Sequence, residues 1–159
     1  MHVERAEQFD KPCQWIPPPV MLEVPMETGP RIVLVEDEGP LRKIIARNLQ
    51  RRGYDVVETE TGAAALTVLR WSPPRLLLLD VNLPDMTGWD VLRELPTDLR
   101  RQIPTIVLSA AAQSPKRLSE FREVTFLHKP FPLDTLLRLV ADKLSGGFGM
   151  GWADLTRRE

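Results

Sequence analysis

Between residues 31 and 144 the sequence alternates five times between a short run of apolar residues and a longer stretch with helical spacing, and this alternation restricts the chain to few folds. The first run, Arg31-Ile32-Val33-Leu34-Val35, is continuously apolar after its arginine, the pattern of a strand buried on both faces. A helix follows. Pro40 suits its first turn, Leu41, Ile44, Ile45 and Leu49 share one face, and Gly53 stands where a C-terminal cap is expected. Residues 54–57, 76–79, 105–108 and 124–127 read as four further strands. Residues 63–69 read as the second helix, stopped by Pro73-Pro74. Trp89, Val91 and Leu92 belong to a third, and Ser114-Pro115 opens a short fourth reaching about Arg122. In the last helix Leu133, Leu136, Leu137, Val140 and Leu144 recur on one face. Five βα units in series imply a parallel sheet, because right-handed crossovers place the helices on its faces. The expected class is therefore α/β: a doubly wound, five-stranded parallel sheet flanked by five helices.

Two flanking regions have a different composition. Residues 1–30 hold six of the 15 prolines, including Pro17-Pro18-Pro19, and read as an extended arm. Residues 145–159 hold four of the nine glycines and read as a tail. The arm carries apolar residues, among them Trp15, Ile16, Val20, Met21, Leu22 and Val24, and reads either as a docking element or as an unstructured leader. The domain between them spans 31–144.

Charge and motif content exclude several functions. With 21 Lys+Arg against 22 Asp+Glu, the whole chain has no electrostatic pull toward nucleic acid or an anionic membrane. No apolar run approaches the roughly 20 residues of a membrane span. The N-terminus carries Glu4, Glu7 and Asp10 where a secretory signal would be basic, so a cytoplasmic protein is expected. The lone Cys13 cannot form an internal disulfide. After the first strand, Glu36-Asp37-Glu38-Gly39-Pro40 is acidic and lacks a glycine-rich phosphate loop, which argues against nucleotide-binding folds. His2 and His128 lie in no triad or metal-ligand pattern.

Ligands of open α/β sheets bind beyond the carboxyl ends of the strands. Here the first strand runs into Glu36-Asp37, the third into Asp80, the fourth into Ser109 and the fifth into His128-Lys129. Three carboxylates converging there repel one another, each close pair by roughly 4 kcal/mol at an effective dielectric of 20. A hard divalent ion such as Mg2+ would compensate them. A lysine and a hydroxyl beside that ion suit a phosphoryl group, which has oxygens for all three.

Four segments at these strand ends resemble the receiver domain of two-component response regulators. They are Val33-Leu34-Val35-Glu36-Asp37-Glu38, residues 79–88 (Leu79-Asp80-Val81-Asn82-Leu83-Pro84-Asp85-Met86-Thr87-Gly88), Val107-Leu108-Ser109-Ala110 and Lys129-Pro130-Phe131. The resemblance covers nearly all of 31–144 and implies a flavodoxin-like (βα)5 fold. It implies that Asp80 accepts the phosphoryl group from a sensor histidine kinase or phosphotransfer protein. Asp37, Asp80 and the backbone carbonyl of Asn82 would hold Mg2+, with Glu36 acting through water. Lys129 would bind a phosphoryl oxygen across a cis Lys129-Pro130 bond. Ser109 would move to the acyl phosphate and Phe126 swing inward behind it, remodelling the face of the fourth helix, fifth strand and fifth helix. Such a domain catalyses only its own phosphorylation and dephosphorylation.

Blander readings stand beside these. Glu36 and Asp37 also fit acids at a helix N-terminus, Ser109 a hydroxyl satisfying its own loop, and Phe126 an ordinary core residue. A carboxylate ending Leu76-Leu77-Leu78-Leu79 is harder to explain without a role. Three departures from the resembled pattern matter. The interval from Ser109 to Lys129 is short, which predicts a shortened or loosely packed fourth helix. Phe126 lacks a hydroxyl, so packing alone governs its burial. Ala111 offers no polar side chain, so its pairing with Asn82 is expected to influence phosphoryl lifetime.

Fifteen residues after the last helix cannot form a DNA-binding domain, so the expected output is contact with a downstream protein, with a homodimer also open. The alternatives are a pseudo-receiver acting as a constitutive scaffold and an aspartyl-phosphate hydrolase of the haloacid dehalogenase type. The first would lack an acid or the lysine. The second needs an acid where Asn82 stands.

Overall fold

The computed structural model describes residues 29–146. The arm expected over 1–30 and the tail over 145–159 lie outside the described residues apart from 29–30 and 145–146. Elements follow in the order β1 (Arg31–Val35), α1 (Gly39–Arg51), β2 (Asp55–Thr59), α2 (Gly62–Trp71), β3 (Leu76–Asp80), α3 (Gly88–Glu94), α4 (Thr97–Gln102), β4 (Thr105–Ser109), α5 (Pro115–Glu120), β5 (Thr125–His128) and α6 (Leu133–Leu144). The five strands form one parallel sheet in the order β2-β1-β3-β4-β5. The order reverses direction beside β1, which opens a crevice between the ends of β1 and β3.

Two-residue periodicity divides the core into two layers. Val33, Val35, Leu77, Leu79 and Val107 face α2 and α3, packing on Ala65, Leu69, Trp89 and Leu92. Ile32, Leu34, Leu76, Leu78, Ile106 and Leu108 face α1 and α6, packing on Ile45, Leu49, Leu136 and Val140. Both faces of β1, β3 and β4 are thus dry, the reason their sequences run continuously apolar.

Among the described residues there are six helices, one more than the five expected. The additional one, α4, buries no residue and carries Asp98 in its first turn and Arg100 and Arg101 in its last. A helix stabilised by its ends and not by an apolar stripe leaves no periodicity to read. The helix expected fourth is therefore α5; it has six residues, none buried, in keeping with the short Ser109–Lys129 interval.

The face expected for α1 also needs correction. Its buried residues are Arg42, Ile45, Ala46 and Leu49, and Ile44 is 52% exposed. Strand β2 begins one residue later than expected and runs to Thr59, because Tyr54 still donates its N–H to Leu49 in the exit from α1. Gly53 occupies the left-handed region with φ of 88°, as a helix-ending glycine should. Among the described residues no helix is long and apolar enough to cross a membrane.

Candidate functional site

Three strands bring the residue at or just past their C-terminal end to one edge of the sheet. Strand β1 ends at Val35, so Glu36 follows immediately, with no part of the residue exposed. Its N–H donates to Thr59 O of β2 at 3.1 Å, which fixes the chain as it leaves the sheet. Asp80 closes β3 and is 3% exposed. Lys129 follows β5, and its own N–H donates to Ser109 O at 2.8 Å. The Lys129–Pro130 peptide is cis.

The side chains meet. Lys129 Nζ donates to Glu36 Oε2 at 2.8 Å and lies 3.3 Å from Asp80 Oδ2. Glu36 Oε1 accepts from the Glu38 N–H at 3.3 Å. Asp37 is exposed, yet Glu36, Asp37 and Asp80 each bring one carboxylate oxygen within 4.8 Å of the others. Burial raises the Glu36 carboxyl above its ordinary value; the Lys129 bond opposes this and the Asp80 charge adds to it. For Lys129, burial pulls downward, but the bond to Glu36 and the charges of Asp80 and Glu36 outweigh it and hold the ammonium above its ordinary value. Three carboxylates against one ammonium leave a formal excess of two negative charges. Asp80 Oδ1 is buried with no hydrogen-bond partner. An unsatisfied buried carboxylate oxygen beside two more acids is a donor set that fits a hard divalent cation.

The remaining expected residues lie around this centre. Asn82, two residues beyond Asp80, is exposed and paired with Thr87 in an isolated bridge. Ser109 closes β4 beside Asp80, since the register pairs Asp80 with Leu108. Its hydroxyl bonds to Ala111 and Gln113, within its own loop. Phe126 stands in register with Val107, half-buried, its ring 5.8 Å from that of Trp89. It lines a cavity of about 170 Å³ together with Ser109 and Gln113.

Three supporting residues were given no role by the sequence reading, although two of them, Asp85 and Gly88, lie in the 79–88 segment. Buried Arg42 donates from Nη1 to Glu36 O at 2.7 Å and from Nη2 to Glu60 Oε1 at 2.5 Å, tying the acidic loop to the segment after β2. The available signal was a charged residue at helical spacing from Ile45, Ala46 and Leu49. Asp85 accepts the N–H groups of Gly62 at 2.8 Å and Ala63 at 2.9 Å, docking the loop after β3 onto the start of α2. Gly88 is required by proximity: a Cβ there would lie 2.4 Å from Asp80 O.

Comparison with known proteins identifies the family and the fold. The family model described as the response regulator receiver domain matches residues 32–141. The transcriptional regulatory protein KdpE of Mycobacterium tuberculosis is 36% identical over 108 residues, covering 67% of this chain and 47% of that protein. The phosphate regulon transcriptional regulatory protein PhoB of Pseudomonas aeruginosa is 35% identical over 117 residues, covering 71% and 51%. The chain thus spans about half the length of these curated relatives. Among solved structures, the non-phosphorylated HemR receiver domain of Leptospira biflexa superposes with a TM-score of 0.67 at 29% identity, covering 77% of this chain and 99% of that one. The chemotaxis protein CheY4 of Vibrio cholerae gives 0.64 at 26% identity, covering 72% and 98%.

Proposed function

The chain belongs to the response regulator receiver domain family, and from that premise we propose that Asp80 is the phosphoacceptor of a two-component relay. The observation that carries the proposal is the buried, unpartnered Oδ1 of Asp80 beside Glu36, Asp37 and the Lys129 ammonium. An Asp80 oxygen attacks the phosphorus of a phosphohistidine on a sensor kinase or phosphotransfer protein, or of a small acyl phosphate. The P–O bond to Asp80 forms as the bond to the leaving imidazole or carboxylate breaks. Asp37, Asp80 and the Asn82 carbonyl would hold Mg2+, with Glu36 acting through water, and the ion would neutralise charge on the phosphoryl oxygens. Lys129 exchanges its Asp80 contact for a phosphoryl oxygen. The Ser109 hydroxyl donates to another, and Phe126 follows it inward.

In this proposal phosphorylation shifts the population of a protein-binding face made by α5, β5 and α6. The domain is no enzyme beyond turning over its own acyl phosphate, and its readout is contact with a downstream protein. The presence of Asp37, Asp80 and Lys129 together weighs against a constitutive scaffold.

The test is intact mass after incubation with acetyl phosphate, with and without Mg2+, using Asp80→Asn as the control. A single Mg2+-dependent phosphoryl adduct absent from the variant is the expected result. Failure of folded protein to form either that adduct or a beryllofluoride complex would refute the phosphoacceptor reading in favour of the scaffold.

A further inference from the structure

Ser109 has a proton to give and gives it away from Asp80. A hydroxyl offers one donor and two acceptor sites. The Ser109 hydroxyl donates to Ala111 O at 3.0 Å and accepts from the Ala111 N–H at 3.2 Å and from Gln113 Nε2 at 2.7 Å. The second Gln113 hydrogen goes to Ala111 O, also at 2.7 Å. A backbone carbonyl only accepts, so this last contact fixes which end of the Gln113 amide faces the loop. All three sites of the hydroxyl are therefore filled by residues 111 and 113. On the adjoining strand, Asp80 Oδ1 is buried and unpartnered. Two of the three bonds come from the backbone of Ala111, which any residue at that position would supply. The third, and the shortest, is the one a side chain adds.

We propose that Gln113 is a positioning residue that holds the Ser109 hydroxyl in its own loop and so opposes the engaged state of the receiver. The inference rests on the phosphoacceptor reading of Asp80 given above. To donate to a phosphoryl group on Asp80, Ser109 must release Ala111 O and turn away from Gln113. Each bond kept in the resting state and lost in the engaged one lowers the engaged population. The cavity of about 170 Å³ lined by Ser109, Gln113, Leu118 and Phe126 leaves room for the rearrangement. Gln113 makes no contact with the acids, so its removal acts on the switch and not on the ion site.

The experiment compares the full chain with Gln113→Met, which keeps length but no donor, and Gln113→Ala. Both should be phosphorylated by acetyl phosphate about five-fold faster and bind beryllofluoride more tightly by the same factor, equivalent to ~1 kcal/mol. Mg2+ affinity by calorimetry should be unchanged. In a Ser109→Ala background the gain should vanish, since the residue that Gln113 holds is then absent. A residue that merely stabilised the loop would not speed phosphorylation when removed. Unchanged or slower phosphorylation, or a gain that persists without the serine hydroxyl, would overturn the role of Gln113. Absence of any adduct on the wild-type chain would overturn the phosphoacceptor reading itself, and this inference with it.

Discussion

Replacing Arg42 with alanine will destabilise the fold by about 3–5 kcal/mol, and the contributions can be separated. The largest is the Glu36 carbonyl. It accepts from Arg42 Nη1 at 2.7 Å in a buried setting, and leaving it unsatisfied costs about 1–3 kcal/mol. The substitution also removes two buried methylenes, at ~0.8 kcal/mol each, from a residue only 7% exposed. The partners Glu58 and Glu60 have side chains 36% and 68% exposed, so their ion pairs with Arg42 together add only about 0.5 kcal/mol. Arg42→Met keeps the packing and forfeits the carbonyl bond, and should lose about 1–3 kcal/mol. Urea unfolding followed by circular dichroism, with linear extrapolation to water, measures all three species. The same loop carries Glu36 and Asp37, so Mg2+ affinity should fall in both variants. Two results would refute the reasoning. One is an Arg42→Met variant as stable as wild type. The other is a Glu60→Gln variant that loses as much as Arg42→Met, which would place the energy in the exposed ion pair.

Three further outcomes are expected. Lys129→Met leaves two buried carboxylates facing each other without their cation and should destabilise the metal-free protein by about 3 kcal/mol, with Mg2+ recovering most of it in paired urea melts. Gly88→Ala drives a methyl against the Asp80 carbonyl, which backbone cannot yield; it should lose about 2 kcal/mol or more in the same melts and slow phosphorylation on the order of ten-fold by displacing Asp80. The Ala63 and Gly62 N–H groups hold the Asp85 carboxyl below the ordinary aspartate value, so its contribution is present above the unfolded-state value of about 3.9 and lost as pH falls through the folded-state one. Wild type should therefore exceed Asp85→Asn in thermal stability at pH 7 and pH 5, and the gap should begin to close as pH falls below about 4; a gap that does not narrow at all as the solution is acidified below that would contradict the assignment.

Strand positions were legible because both faces of β1, β3 and β4 are covered, which makes their central residues continuously apolar and the polar residue at or just past each end conspicuous. Glu36, Asp80 and Ser109 stood out for that reason, and Lys129 through its neighbours Pro130 and Phe131. Helices with an apolar stripe were legible too, α6 most clearly. Helix α4 was not, since none of its six residues is fully buried and Leu99 alone of them is an apolar residue packed on the core, which makes no stripe. In the stripe of α1, Ile45 and Leu49 were read correctly, but Ile44 was included and Arg42 left out because Ile44 has the polarity of a core residue and Arg42 that of a surface one, while their burial is the reverse.

The sequence by itself determined the layered architecture and the chemical groups at the sheet edge, because both follow from local periodicity and from the polarity of single positions. Only the tertiary structure decided how those groups pair. The Lys129 ammonium reaches a carboxylate 93 residues away, Arg42 reaches back from one turn into α1 to donate to the Glu36 carbonyl, and Ser109 gives its proton to its own loop. A side chain's hydrogen-bond partner is set by distance and direction in three dimensions, and linear spacing carries neither once the chain has crossed from one strand to the next.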